Sequence, residues 1–222
     1  HFSFQRGASS PKELVERALV LGYRALAITD ECSLAGVVRA HQALVDVREA
    51  AKEQGRPEPA LKLLIGSEFQ VDGPTPFRLV ALARDRKGYA RLSQFITDLR
   101  RASPKGRYRV DPEDLCADRL AGNELLWVPP RGAAFETLCT QATSFRQAFG
   151  DAAWGVVELF HEIDDPLWLH TLREVSRLSG LPLVAAGDVH MHLRSRKPLQ
   201  DVLTAIRLGR PVAECGTALQ PH

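Results

Sequence analysis

Asp188 and His190 stand two residues apart, directly after the apolar run Leu183-Val-Ala-Ala186 and Gly187. On an extended chain residues two apart point the same way, so this spacing predicts a carboxylate and an imidazole projecting together from a strand end. Parallel α/β sheets and barrels keep their chemistry at that end of the strand, and an Asp-x-His pair there suits a divalent metal. Two other strand-like runs lead to acids: Ala25–Ile28 to Asp30 and Glu31, and Leu61–Ile65 through Gly66-Ser67 to Glu68. Gathered at one mouth, these carboxylates repel one another unless a cation sits among them. A divalent ion engaged in phosphoester hydrolysis meets that requirement. The competing reading is structural: each acid caps the helix that follows, and Asp30 suits that role well.

The elements that would position these groups alternate along the chain. Ser10-Pro11-Lys12-Glu13 has the pattern of a capping box with proline in the first turn, and a helix follows as far as Gly22. After the strand Ala25–Ile28, a helix is expected over Leu34–Gln54. A strand at Leu61–Ile65 continues through Phe69–Val71, and another is expected at Leu79–Ala83. Then come a helix at Tyr89–Leu99, a strand at Glu124–Val128 and a helix at Ala133–Phe149. The strand Trp154–Phe160, the helix Asp165–Ser179, the strand Leu181–Ala186 and the helix Lys197–Leu208 complete the series. Strand followed by helix throughout implies a parallel sheet covered by helices.

Composition narrows the class. The chain has 222 residues, 45% hydrophobic and 25% charged, ordinary for a globular protein. Its 29 basic and 27 acidic residues leave a net charge of +2, which by itself does not argue for nucleic acid. Cys32, Cys116, Cys139 and Cys215 are too scattered for a Cys-x-x-Cys site and too few for a disulfide framework, which suits a reducing cytosol. No apolar run approaches membrane-spanning length, so no membrane partner is expected. There is no Gly-x-Gly-x-x-Gly, Walker or Gly-x-Ser-x-Gly motif, which disfavours nucleotide binding at a helix N-terminus and serine hydrolysis. The chain starts at His1 and its only methionine is Met191, so it reads as a segment of something longer. Residues 84–109 are locally basic, with Arg84, Arg86, Lys87, Arg91, Arg100, Arg101, Lys105, Arg107 and Arg109 against Asp85 and Asp98. A solvated face is the common meaning of such a run, and a phosphate-contacting patch the rarer one.

Ser9-Ser-Pro-Lys-Glu-Leu-Val15, Ala25-Leu-Ala-Ile-Thr-Asp30, Gly66-Ser-Glu68 and Gly187-Asp-Val-His190 resemble, in order, the motifs of the PHP (polymerase and histidinol phosphatase) superfamily. Leu79–Leu92 and Asp201–Gly209 sharpen the resemblance to the PHP domain of bacterial C-family DNA polymerase α subunits. Phe2–Ser9, Thr29–Gly36 and Arg210–Gly216 are most similar to the error-prone, damage-induced branch. The resemblance covers the whole of residues 1–222 as one PHP domain, with residues 210–222 leading toward a polymerase palm.

It implies an α/β fold, a distorted seven-stranded (β/α) barrel whose first strand is expected to precede this chain, since only six strand runs are visible. It implies a cytoplasmic DNA-directed DNA polymerase, a nucleotidyltransferase of replication and repair that copies damaged templates. The implied partners are DNA and other replication or translesion synthesis proteins, and magnesium would serve a polymerase domain outside these residues. The PHP domain itself would be a scaffold without catalytic residues of its own, or an active phosphoesterase or 3′–5′ exonuclease.

By position, Asp30, Glu68, Asp188 and His190 correspond to the family's ligands for zinc, manganese or magnesium. Other positions depart from the pattern. The family's opening His-x-His would precede His1, Arg6 stands where an Asp is usual, and Glu31 replaces the usual His. Arg78 falls where a ligand His is common, and Pro129-Pro130 lie near an expected ligand Cys. The expectation is that Arg78 replaces the metal by pairing with a carboxylate, which its planar fork can bind through two hydrogen bonds.

Overall fold

The structure, a computed structural model, describes residue 3 and residues 5–219. His1, Phe2 and Phe4 of the opening motif and the tail 220–222 lie outside the described residues. The chain divides into two compact units, His1–Ile65 with Asp188–His222, and Gly66–Gly187.

In the first unit, α1 (Pro11–Val20) starts as the sequence predicts. The Ser10 hydroxyl accepts from the Glu13 N–H at 3.3 Å, and the Glu13 carboxylate accepts from the Ser10 N–H at 2.8 Å. Strand β1 (Ala25–Ile28) leads to α2 (Ala35–Glu53), and the opening residues of β2 (Lys62–Val71) return parallel to β1, with Ala25 opposite Lys62 and Ile28 opposite Ile65. Val15 and Ala18 of α1 pack with Val37, Ala40, Ala43 and Leu44 of α2 over Ile28 and Leu61. Full burial of a side chain such as Leu44 contributes roughly 1.5–3 kcal/mol. No strand is described among residues 3 and 5–10. The closing helix of this unit, numbered α7 below, spans Lys197–Leu208 and ends at Gly209, whose φ of 65° is the left-handed cap conformation.

In the second unit, β2 continues to Val71 and β3 (Phe77–Ala83) turns back antiparallel to it. Then follow α3 (Arg86–Ala102), the short α4 (Ala117–Leu120), β4 (Asn123–Val128), α5 (Phe135–Phe149), β5 (Ala153–Glu158), α6 (Asp165–Ser179) and β6 (Leu183–Ala186). With α7 these are the strands and α-helices among the described residues, where each of the six strands pairs with its sequence neighbour. Phe69 and Val71 face the α3 side of the sheet, where the Phe69 and Phe95 rings meet edge to face at 5.2 Å.

The sheet is mixed rather than parallel. β1–β2, β4–β5 and β5–β6 are parallel, but β2–β3 and β3–β4 are antiparallel. Residues 72–76 are too few for a crossover, which takes a dozen or more, so β3 must reverse. The excursion through α3 and α4 returns to the end of β3 it left, with Ala83 opposite Asn123 and the Gly122 carbonyl accepting from Arg84 N–H at 3.0 Å. That closure needs two glycines. A Cβ on Gly88 would lie 2.0 Å from the Gly122 carbonyl oxygen.

Candidate metal-type site and its arginine

Asp30 follows β1 and is buried, 8% exposed. Its Oδ2 accepts from the backbone N–H of Gly36 in the first turn of α2 at 3.0 Å, so the helix-capping role weighed from sequence is realised. Its Oδ1 accepts from the Ser3 hydroxyl at 3.2 Å, and that hydroxyl oxygen accepts from the Glu31 N–H at 2.8 Å. Gly36 makes this possible, because a Cβ there would sit 2.1 Å from Asp30 Oδ2. Glu31 is held side-on by Arg6, with Nε at 2.8 Å from Oε2 and Nη2 at 3.2 Å from Oε1.

The same Arg6 ties in His190. Its carbonyl lies 2.5 Å from His190 Nδ1 and also accepts from the buried Gln200 side chain at 2.6 Å. A carbonyl only accepts, so Nδ1 carries a hydrogen, and Nε2 is the ring atom that could ligate a metal only when it is itself unprotonated. Nε2 lies 3.1 Å from Asp188 Oδ1. The expected pairing of Asp188 with His190 is therefore present, though not by way of an extended strand. β6 stops at Ala186, and Asp188 has φ of 42°, a left-handed conformation that Asp tolerates better than most side chains. In the next turn the Ser9 hydroxyl sits 2.7 Å from His192 Nδ1.

Glu68 belongs to the second unit and does not end a strand; it lies inside β2, opposite Val80. Arg78 stands opposite Gln70, so Glu68 is its diagonal neighbour on one sheet face. Arg78 Nη1 meets Glu68 Oε2 at 3.2 Å, and Nη2 meets Glu158 Oε2, at the end of β5, at 2.5 Å. The three side chains are 25%, 15% and 12% exposed, so this is a half-buried triad of one guanidinium and two carboxylates. Glu158 was not singled out from the sequence, because the apolar run Trp154–Phe160 continues past it; its signal was an acid at a strand end, as for Asp30.

A second arginine governs the loop after β5. Arg131 Nη2 meets Asp164 at 2.6 Å, Asp165 at 2.8 Å and Glu162 at 3.4 Å. Burial pushes the Asp165 carboxyl up, but the Arg131 hydrogen bond and the Glu162 N–H override it and hold Asp165 below the ordinary carboxylate range. These three acids stand close enough to hold an ion, and the guanidinium already lies among them. Pro129, near an expected ligand Cys, lines a cavity of about 30 Å³ with Val128, Arg131, Val156, Glu158 and Trp168.

Residues 1–162 match the family model described as the PHP domain. The chain belongs to the PHP domain family. Over its full length it is 46% identical to the error-prone DNA polymerase of Azoarcus sp. and 51% identical to that of Methylococcus capsulatus, across 239 and 223 residues. It spans about a fifth of those curated relatives, 22% and 20% of their lengths. Among solved structures it is similar to an amidohydrolase from Chromobacterium violaceum, with a TM-score of 0.59, 18% identity and 84% of each chain covered. It is also similar to a proposed metal-dependent phosphoesterase from Bifidobacterium adolescentis, with a TM-score of 0.54, 16% identity, and 83% of this chain and 84% of that one covered. The α/β fold of the PHP type is thus the one the resemblance implied. Among the described residues of this PHP domain, no helix is long and apolar enough to cross a membrane.

Proposed function

We propose that residues 1–222 form the PHP domain of an error-prone DNA-directed DNA polymerase used in translesion synthesis, and that this domain is a scaffold with a degenerate metal site. The whole protein would act in the cytoplasm on damaged DNA, with other replication or translesion proteins, using magnesium in a polymerase domain beyond this chain. The observation that carries the scaffold reading is Arg78 between Glu68 and Glu158. A guanidinium cannot be titrated away near neutral pH, so a divalent ion at Glu68 would have to displace an ion pair and tolerate a fixed positive charge beside it. Glu68 therefore does not fit a ligand role while Arg78 holds it.

A second reading, an active metal-dependent phosphoesterase or 3′–5′ exonuclease, is favoured by one feature. Asp188 and His190 Nε2 face each other at 3.1 Å, a pair of ligand types that zinc or manganese would accept. The deciding experiment is metal analysis of the purified chain with thermal unfolding in the presence and absence of zinc or manganese. Absence of stoichiometric metal and an unmoved unfolding temperature are the expected results. Bound metal at one or more equivalents, or a large metal-dependent rise, overturns the scaffold reading. Primer extension past a damaged template by the full-length protein tests the polymerase assignment separately.

A further inference from the structure

The basic run after β3 folds into α3 and the loop that follows it. Within α3, Gly88, Leu92, Phe95 and Leu99 are buried, and Arg86, Lys87, Arg91 and Arg101 are exposed. At 3.6 residues per turn these four cations occupy an arc of roughly 140° opposite the buried stripe and run about 22 Å along the helix axis. Lys105 and Arg107, also exposed, extend the row beyond the helix end. Residues 84–109 hold nine basic and two acidic side chains, a net +7, whereas the whole chain is only +2, leaving −5 for the other residues.

Folding does not account for this charge. Arg86, Lys87, Arg91, Arg101, Lys105 and Arg107 have no ion-pair partner among the described residues. Both acids in the stretch already have partners, though Asp98 lies within the same arc as the cations. Asp85 caps α3 by accepting from Gly88 N–H at 2.8 Å, and Asp98 takes Gln94 at 2.7 Å and Arg119 at 3.6 Å. Arg86 and Lys87 occupy the first turn, where the helix dipole disfavours cations, so their placement costs the helix stability. A merely solvated face would mix signs at i, i+4 spacing, and α3 carries no Glu at all.

We propose that the exposed face of α3 and the following loop docks the phosphate backbone of duplex nucleic acid without sequence preference. Each strand of a duplex presents one charge per about 3.4 Å of axis, so a cationic row of about 22 Å runs alongside roughly six phosphates of one strand. Backbone docking fits better than base stacking, because the cationic arc itself carries no aromatic side chain. The inference rests on charge and exposure, and it holds whichever reading of the Glu68 site is right.

The test is fluorescence anisotropy of a labelled duplex with the full chain over a series of salt concentrations. The triple variant Arg86→Glu/Arg91→Glu/Arg101→Glu is compared with Arg56→Glu/Arg173→Glu/Arg207→Glu, which makes the same charge change at other exposed sites. The first should lose at least tenfold in affinity and flatten the slope of log K against log salt by roughly 2–3, while the second keeps most of both. Arg91→Gln/Arg101→Gln/Lys105→Gln should give the same ordering with a smaller loss and decides the matter if the reversed variant does not fold. Equal losses in both triple variants, an unchanged slope, or binding to polyglutamate with none to duplex would overturn the proposal, the last pointing to an acidic protein partner.

Discussion

The guanidinium of Arg78 reaches from β3 over β4 to Glu158 on β5, at 2.5 Å, while its other amino group holds Glu68 on β2 at 3.2 Å. One side chain thus binds carboxylates from the strands on either side of it, and at neutral pH each acid relies on it to offset desolvation. Arg78→Ala is expected to cost about 1–3 kcal/mol, less than a fully buried pair because the triad is partly hydrated. Urea unfolding measures that loss. Arg78→His should be milder and should gain a rise in unfolding temperature with zinc that the parent chain lacks. A histidine variant indifferent to zinc would mean that arginine is not what keeps a metal from Glu68.

Asp30 and Gly36 make a second coupled pair. With a Cβ built 2.1 Å from the Asp30 carboxylate, Gly36→Ala must push that side chain off the α2 N–H and off Ser3. About 2 kcal/mol or more of destabilisation is expected, from a lost cap and a displaced buried acid. Gly22→Ala is the comparison, since only its φ of 73° opposes a side chain and nothing lies near; about 1 kcal/mol is expected there. In an Asp30→Ala background, Gly36→Ala should cost far less. Additive costs in the double variant would show that the two residues are not coupled.

Sequence reasoning reached the elements well because apolar period and turn residues are local signals. Ser10-Pro11-Lys12-Glu13 foretold α1, and Asp165–Ser179 and Lys197–Leu208 were placed without error. The expected helix at Tyr89–Leu99 starts too late, because Arg86 and Lys87 look like poor first-turn residues although Asp85 caps them. The antiparallel turn at residues 72–76 was legible in the shortness of the segment, but the strand–helix rhythm elsewhere outweighed it. Asp30 was foreseen both as a candidate ligand and as a cap, and the cap is what the geometry displays. Arg78 was equally free to point to either face of β3; only the register with Gln70 decides that it shares a face with Glu68. The Arg6 carbonyl was invisible for a plainer reason, since its role depends on a partner 184 residues away.

Arg131 should matter more than its half-exposed position suggests. Its Nη2 neutralises Glu162, Asp164 and Asp165, and its guanidinium carbon lies 5.8 Å from the Trp168 ring centre. Arg131→Gln is expected to destabilise by about 1–2 kcal/mol at pH 7. Asp165 has a lowered pKa in the folded chain, so its contribution is present above the unfolded value and fades as pH falls through the folded one. The gap between variant and parent, read from denaturant midpoints, should therefore narrow in acid. A gap that stays constant from pH 7 to pH 3 would assign the loss to packing on Trp168 instead.

The last prediction concerns the cap of α1. The Ser10 N–H, its hydroxyl and Arg196 all favour the ionised Glu13 carboxylate over the burial that opposes them, so its pKa lies below the ordinary glutamate range. The sign follows directly: a carboxyl whose folded pKa is depressed adds stability that is complete above the unfolded pKa and is lost as pH drops through the folded one. Glu13→Gln keeps the shape and can still accept from Ser10, yet gives up the charge on the helix N-terminus and the ion pair with Arg196. Its cost should be about 0.5–1 kcal/mol at pH 7, small because the Glu13 side chain is 28% exposed. As pH falls through the depressed folded value the parent loses the same interactions by protonation, so the two proteins should converge. Ser10→Ala should shift that convergence to higher pH, since it removes hydroxyl contacts that keep Glu13 ionised. Urea unfolding of the three proteins at pH 7, 5 and 3.5 provides the check, and a Glu13→Gln cost independent of pH would show that the cap works through shape rather than charge.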